Sequence, residues 1–416
     1  METSSTDMEQ ARELVNSRID QVSQELHEKV NKALHANPET CFKEFFAHDT
    51  LTSLLELHGF NVTRSSYGLE TSFDVCVGDG GRQVVFCAEY DALPEIGHAC
   101  GHNLIATSSI AAFFGAAHAM CRLNIPGRLR LLGTPAEEAG GGKAKLIDAG
   151  AFDPPEDIAA AIMAHPISKQ RLNSNASLGD ISGLAGPKAT ANHKFHVEFH
   201  GKTAHAASGP WGGTNALDAA VSAYQNVALL RQHIRPDERI HSIFEVGGTV
   251  PNIIPDYTRM NWCVRAPTIA RADLLLERVK SCIGAGAAAS GCRVSYTPSP
   301  TYMNLRANST LCHAYVEDMD KLGKKVIALH NEGAGSTDMG NVSHVVPSFH
   351  GVFAIPTDPG VVSHNPNFAA AAATDGAHAE AITCAKGMAM LALRVLADDS
   401  IASKARRDFE TPDETH

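Results

Sequence analysis

Residues 188–299 carry six segments in the order strand, helix, strand, strand, helix, strand, and this run constrains the fold more than any other feature of the chain. The strands are KFHVEFHG, HSIFEVGG, RMNWCVRA and CRVSYTPS; the helices are TNALDAAVSAYQNVALLRQHI and ADLLLERVKSCIGAGAAA, with apolar residues every three or four positions. That order is the split β-α-β-β-α-β sandwich, complete in itself at about 110 residues. A complete small domain in mid-chain is an insertion into another.

The flanking segments supply the host. Residues 7–36 and 42–58 read as helices, and the β-rich runs SFDVCV, QVVFCAEY, LRLLG and AAAIMAH follow, separated by the helical LIATSSIAAFFGAAHAM and GGKAKLIDAG. The same alternation resumes near residue 301, with a helix at TLCHAYVEDMDKLG, a strand at GVFAI and a long alanine-rich helix at 374–397. Strands alternating with helices give an α/β layer on a mostly parallel sheet, whose ligands bind outside the carboxyl ends of the strands. The expected organisation is a discontinuous α/β domain in two parts, 1–187 and 300–416, with an α+β, ferredoxin-like domain inserted at 188–299. The charged tail KARRDFETPDETH is expected to fray.

With 416 residues, 44% of them hydrophobic, the chain buries a large core, and its formal charge of −11 is spread without a Lys/Arg cluster. Nucleic acid and anionic membrane surfaces are therefore excluded as partners. No apolar run reaches the roughly 18 uninterrupted residues of a membrane span. The N-terminus METSSTDMEQ lacks both a secretory pattern and the arginines of a transit peptide, so a cytoplasmic location is expected. In a reducing compartment, most of Cys41, Cys76, Cys87, Cys121, Cys263, Cys282, Cys292, Cys312 and Cys384 should be buried thiols.

Cys100 differs by its neighbours. In GHACGHNLIA, His98, Cys100 and His102 alternate after VVFCAEYDALPEIG, and in an extended segment Cys100 and His102 point to one side, where both reach one metal ion. The alternative is a buried thiol flanked by helix-start histidines. Glu137 and Glu138, in GTPAEEAGGG after the strand LRLLG, repel one another at a strand's carboxyl end, and no basic residue follows before Lys143. A cation relieves that cost, whereas a solvated acidic loop is the plainer reading. The strand AAAIMA ends in His165-Pro166, a second ligand-type residue at a sheet edge. HGKTAHAA (200–207), GTVPNIIP (248–255), GSTD (335–338) and SHNP (363–366) are weak singly.

Together these residues resemble the dinuclear zinc aminoacylase/carboxypeptidase metallopeptidases, in which a split catalytic domain carries an inserted lid or dimerisation domain. The strings EYDALPEIGHACGHNLIA, GTPAEEAGGGK, GKTAHAA, GGTVPNIIPDYT and GSTDMGNVSHVVPSFH carry the likeness, closest to the amidohydrolase branch with aminobenzoyl-glutamate hydrolases and β-alanyl-lysine type dipeptidases. The resemblance implies two divalent ions, zinc foremost with manganese or cobalt as alternatives, held by Cys100, His102, Glu138, His165 and His364. Cys100 would replace a bridging carboxylate. Glu137 becomes the general base that activates water and protonates the leaving nitrogen, and Asp91 orients a ligand. His205 resembles the residue that crosses a homodimer to stabilise the oxyanion. Asn252 and Arg265 match contacts to polar groups of the substrate, with Ser336 and Thr337 of the GSTD loop beside them as substrate-binding residues. Arg265 alone reads equally as a strand arginine in a surface ion pair, and Asp338 as the cap of a helix from Met339. Asn103 departs from the family, standing where many relatives have aspartate.

The implied activity is metal-dependent hydrolysis of the amide bond of a dipeptide or N-acyl amino acid. Three rivals use the same scaffold: a specialised biosynthetic or amide-forming enzyme, a Cys100/His amidase with His98 or His102 activating the thiol, and a non-catalytic or structurally metallated protein. The amidase leaves Glu137, Glu138, His165 and His364 without roles. A structural zinc site is closed by four ligands, against five candidates and a base here.

Overall fold

The computed structural model describes residues 5–174, 179–329 and 335–411. The chain divides into two compact units, one of Met1–Lys188, Leu305–Ala334 and Asp338–His416, the other of Ala189–Asn304 and Gly335–Thr337. Twelve strands lie among the described residues: β1 (Val62–Arg64), β2 (Phe73–Asp79), β3 (Gln83–Ala88), β4 (Gly127–Gly133), β5 (Ile158–Ser168), β6 (Gly183–Ala185), β7 (Ala191–His200), β8 (Arg239–Val246), β9 (Tyr257–Ala266), β10 (Arg293–Pro298), β11 (Val326–Ala328) and β12 (Ser348–Ile355).

The first unit is built on an eight-stranded sheet of order β1-β2-β4-β3-β5-β12-β6-β11. Its centre is parallel, with β3 paired to β4 and β5, and β5 to β12, so these strands share one carboxyl edge. Helix His102–Leu123 is buried on nearly every face, as its unbroken run of small and apolar residues requires. By length and composition it is apolar enough to cross a membrane, but 89% of that stretch is covered by the protein, which makes it a core helix. The segment read as one helix over 7–36 is continuous but changes pitch: an α-helix over Ser5–Leu26 passes through a π-turn at His27–Lys32 before Ala33–Ala36.

The second unit has a four-stranded antiparallel sheet of order β10-β7-β9-β8 and two helices, Ala216–Leu230 and Ile269–Ser290. Asn215 and Thr268 cap those helices through their side chains. Phe195, Val197, Phe199, Met260, Trp262 and Val264 alternate inward to form its core with the helices. β8 is an edge strand and leaves Ile243, Phe244 and Val246 exposed.

Three expectations need correction. Among the nine other cysteines only Cys87, Cys312 and Cys384 are buried; Cys76, on the outward side of β2, and Cys121, in the last turn of a helix, are exposed. The tail expected to fray is helical over Asp399–Glu410, fixed by the Asp398 cap, by buried Ala402 and Ala405, and by Arg406 donating to the carbonyls of Pro155 and Ile158. Residues 98–101 form a turn instead of an extended segment, with Gly101 N donating to His98 O at 3.0 Å.

Candidate metal centre

Cys100 and His102 converge because of that turn. Gly101 has φ 86°, and a Cβ there would fall 2.5 Å from Pro166 Cγ, so only glycine lets the chain pass β5 and enter the helix at His102. Cys100 Sγ then stands 3.2 Å from His165 Nε2. His165 Nδ1 bonds the carbonyl of Pro166 at 2.7 Å, which fixes the proton on Nδ1 and leaves Nε2 as a lone pair. His102 behaves alike, with Nδ1 donating to Asp91 Oδ1 at 3.0 Å.

The glutamates enter on a loop after β4 whose turn is made by Ala136, left-handed at φ 60°, and not by a glycine. Glu44 Oε1 accepts from Ala136 N at 2.9 Å and holds this turn. Glu138 N donates to Asp91 Oδ2 at 3.0 Å, so one carboxylate ties the segment carrying Glu138 to the one carrying His102. His364 is also left-handed, at φ 63°, and its N–H donates to Ala99 O at 2.8 Å. A non-glycine residue in this region costs about 1–3 kcal/mol, and such strain persists where surrounding contacts enforce it.

The five candidate ligands form two triangles within 4.8 Å, Cys100/His102/His165 and Cys100/Glu138/His364, with Cys100 common to both. His364 Nε2 lies 3.5 Å and His102 Nε2 3.8 Å from Glu138 Oε1. His102 Nε2 and Glu138 Oε1 are buried without a hydrogen-bond partner. Dry acceptors pointed at one another repel unless a cation lies among them. One thiol, three imidazoles and a carboxylate are the donor set of zinc, so these residues fit divalent ions.

Electrostatics separates the two glutamates. Burial, then Glu89 and Asp338, push the Glu137 carboxyl well above its usual range. Burial also opposes the charge of Glu138, but positive charge on the facing His364 and His102 rings outweighs it and brings it to about 2, the same demand for a cation that the geometry makes. Cys100 is pushed up by burial and then by Glu138.

The remaining candidates lie in the second unit. His205 is exposed, and its Nδ1 accepts N–H bonds from Ala207 and Ser208 at 3.2 Å each, which leaves Nε2 as the donor. Its loop meets that of Asn252, where Ala206 N donates to Asn252 O at 3.0 Å. Arg265 Nη1 donates to Ser336 Oγ at 2.9 Å; no surface ion pair of Arg265 occurs among the described residues. Thr337 is buried. Asp338 does not cap its helix: its carboxylate accepts from Lys143 N at 2.9 Å and Nζ at 2.7 Å.

These features coincide with a family. Residues 85–386 match peptidase family M20/M25/M40. The chain belongs to this family. An Xaa-Arg dipeptidase of Mus musculus is 38% identical over 98% of the chain and 94% of its own length, and an Xaa-Arg dipeptidase of Homo sapiens is 37% identical over 94% and 90%. One of the chains of the p-aminobenzoyl-glutamate hydrolase of Escherichia coli (strain K12) is 32% identical over 61% of the chain and 53% of its own length. Among solved structures, a dinuclear metal binding peptidase of the M20 family from Bacillus subtilis superposes with TM-score 0.63 at 19% identity, covering 92% of the chain and 99% of that one. As a member of the M20/M25/M40 peptidases the chain is a hydrolase acting on amide bonds, and the α/β fold with its separate antiparallel sheet is theirs. Family membership and the donor clusters together support divalent ions at this centre.

Four buried residues at the centre escaped the sequence reading. Glu44 lies in NPETCFKEFF, which carries no local signal. Glu89 and Lys143 stand inside quoted motifs, two residues before Asp91 and one after the glycine run, and only the fold shows that they meet. His350 packs its ring 6.4 Å from that of His165, and burial brings it down to about 3, so it is a neutral neighbour of the candidate ligands.

Proposed function

We propose that this hydrolase cleaves the amide bond of a dipeptide, or of an N-acyl amino acid, at two divalent ions, zinc foremost. One ion would be held by Cys100, His102 and His165, the other by Cys100, Glu138 and His364. When bound, such ions supply Lewis-acid polarisation of a carbonyl and acidify water. The observation carrying the reading is the convergence of five ligand-type side chains from distant segments, two of them with orphaned lone pairs.

Glu137 takes the proton of the attacking water and passes it to the leaving nitrogen. Its Oε2 lies 3.9 Å from His102 Nε2, and burial with Glu89 and Asp338 raises its carboxyl, so it takes up a proton more readily than an ordinary glutamate. Asp91 orients His102 and the Glu138 loop at once. Arg265, steadied by Ser336, receives the substrate carboxylate through its planar fork, with Asn252 as a further polar contact. His205 donates from Nε2 to the developing oxyanion in a second copy of the chain. A homodimer is supported by the β8 edge with its exposed Ile243, Phe244 and Val246, and by the further exposed apolar residues Trp211, Val250 and Ile253 of the same unit. Dipeptides are favoured because relatives covering more than nine-tenths of the chain are dipeptidases. Ten free cysteines suit the reducing cytoplasm.

The Cys100/His amidase loses support, since burial and Glu138 disfavour the thiolate a nucleophile needs. The test is a zinc-replete screen of dipeptides and N-acyl amino acids with Glu137→Gln as blank. Chelation should abolish turnover, zinc should restore it, and Glu137→Gln should lower kcat by about 10²–10⁴-fold with its ions retained. Turnover that survives chelation, or full activity of Glu137→Gln, refutes the proposal.

A further inference from the structure

Three fully buried charged groups beneath the ligands have no place in the mechanism above: Glu89 just past β3, Lys143 in the first turn of helix Gly142–Asp148, and Asp338. Lys143 Nζ donates to Glu89 Oε1 and, at 2.7 Å, to Asp338 Oδ1, while Lys143 N donates to Asp338 Oδ2. Both oxygens of Asp338 are thereby satisfied, but only one of Glu89. Glu89 Oε2 has no hydrogen-bond partner and lies 3.5 Å from His102 Nε2, which has none either, while Nδ1 of the same ring is held by Asp91.

A carboxylate oxygen and a ring nitrogen that both lack a hydrogen-bond partner, 3.5 Å apart in a dry interior, call for positive charge between them. The separation itself is informative: two atoms at about 2.0–2.2 Å from one tetrahedral ion stand roughly 3.3–3.6 Å apart. We propose that Glu89 is a further carboxylate for the ion that His102 holds, and that Lys143 positions it. Lys143 engages Oε1, so Oε2 alone is offered, and it compensates a second negative charge that would otherwise be buried beside Glu137 and Glu138. Asp338, fixed by two bonds, in turn fixes Lys143. This inference rests on the two-ion reading and extends it to residues outside the five ligands.

The test is equilibrium competition for zinc against a chromophoric chelator, with the visible spectrum of the cobalt-substituted protein as a second readout. Wild-type protein should bind two ions per chain. Glu89→Gln, which preserves shape, should weaken one ion by about 10–100-fold, leave the other unchanged and alter the cobalt spectrum. Lys143→Met should act in the same direction, and Glu89→Gln/Lys143→Met should be no worse than Glu89→Gln alone, since both act through one oxygen. Should Lys143→Met fail to fold with two carboxylates orphaned, Lys143→Met/Asp338→Asn replaces it with one fewer charge to bury. Wild-type affinity for both ions and an unchanged cobalt spectrum in Glu89→Gln would overturn the role of Glu89. Additive losses in the double variant would overturn that of Lys143. A wild-type chain that binds fewer than two ions would instead refute the two-ion reading beneath both.

Discussion

Replacing Glu44 by glutamine asks whether a buried carboxylate can anchor the loop of Glu137 and Glu138 at a cost that depends on pH. Glu44 has no exposed surface. Its Oε1 accepts from Phe42 N and Ala136 N at 2.9 Å each, and its Oε2 from the Thr71 hydroxyl at 2.8 Å. Burial outweighs these bonds and, helped by Asp91, pushes the carboxyl up to about 7 from 4.5. A folded state that holds its proton to higher pH than the unfolded chain is favoured at low pH. The advantage is fully present below 4.5 and is lost as pH rises to 7. By linkage, the loss between pH 5 and pH 8 amounts to about 2.5 kcal/mol. Glutamine keeps one oxygen for the two N–H donors and turns its amide toward a hydroxyl that also accepts, but it has no proton to lose. The stability of Glu44→Gln relative to wild type should therefore rise by about 2.5 kcal/mol from pH 5 to pH 8, whatever the constant offset. Urea unfolding of both proteins at matched zinc gives that difference, and groups common to both cancel. Parallel stability profiles across this range would refute the reasoning.

Asn103→Asp should destabilise the protein by at least about 2 kcal/mol in urea unfolding at pH 8. The amide donates to Asn31 Oδ1 at 2.7 Å and Ala372 O at 3.2 Å, and a carboxylate would face both acceptors with none to donate. Asp91→Asn should weaken zinc binding by about 10–100-fold in chelator competition, because an amide oxygen serves either His102 or Glu138 N, not both. Ile243→Asp, on an exposed edge position, should turn a dimer into a monomer in sedimentation and lower turnover with it. An unchanged sedimentation coefficient would remove β8 from the proposed interface.

Periodicity made most of the fold legible. The six elements of 188–299 alternate or recur so regularly that their order could be read without contacts, and β7 and β9 show the inward-outward pattern plainly. The ligand-type residues stood out by the company they keep in short polar or glycine-flanked strings, not by strand ends: the strand expected to stop at His165 runs on to Ser168, with His165 paired to Val352. What hid the rest was distance along the chain. Glu44 acts 92 residues from Ala136, Lys143 acts 195 residues from Asp338, and Asn31, in the π-turn, meets Asn103 from 72 residues away. That last pairing explains the Asn103 departure, which touches the core packing of the helix and leaves His102 to Asp91. The misread turn at 98–101 shows the converse: alternation predicted the convergence of Cys100 and His102 for the wrong reason.

The residues that break local rules are those that meet at the centre. Ala136 and His364 take a backbone conformation that alanine and histidine avoid, Lys143 carries its charge without exposure, and Glu44 stays buried at the expense of its own ionisation. Each departure is enforced by a neighbour: Ala136 by Glu44, His364 by Ala99, Lys143 by Glu89 and Asp338. Local preference and global fold agree elsewhere in a foldable chain, so their conflict here marks where another demand prevails. Five carboxylates, Glu89, Asp91, Glu137, Glu138 and Asp338, converge on a dry region with one lysine among them. Packing alone gives no reason to assemble them; Lys143 answers Asp338 and one oxygen of Glu89, and divalent ions would answer the charge that remains.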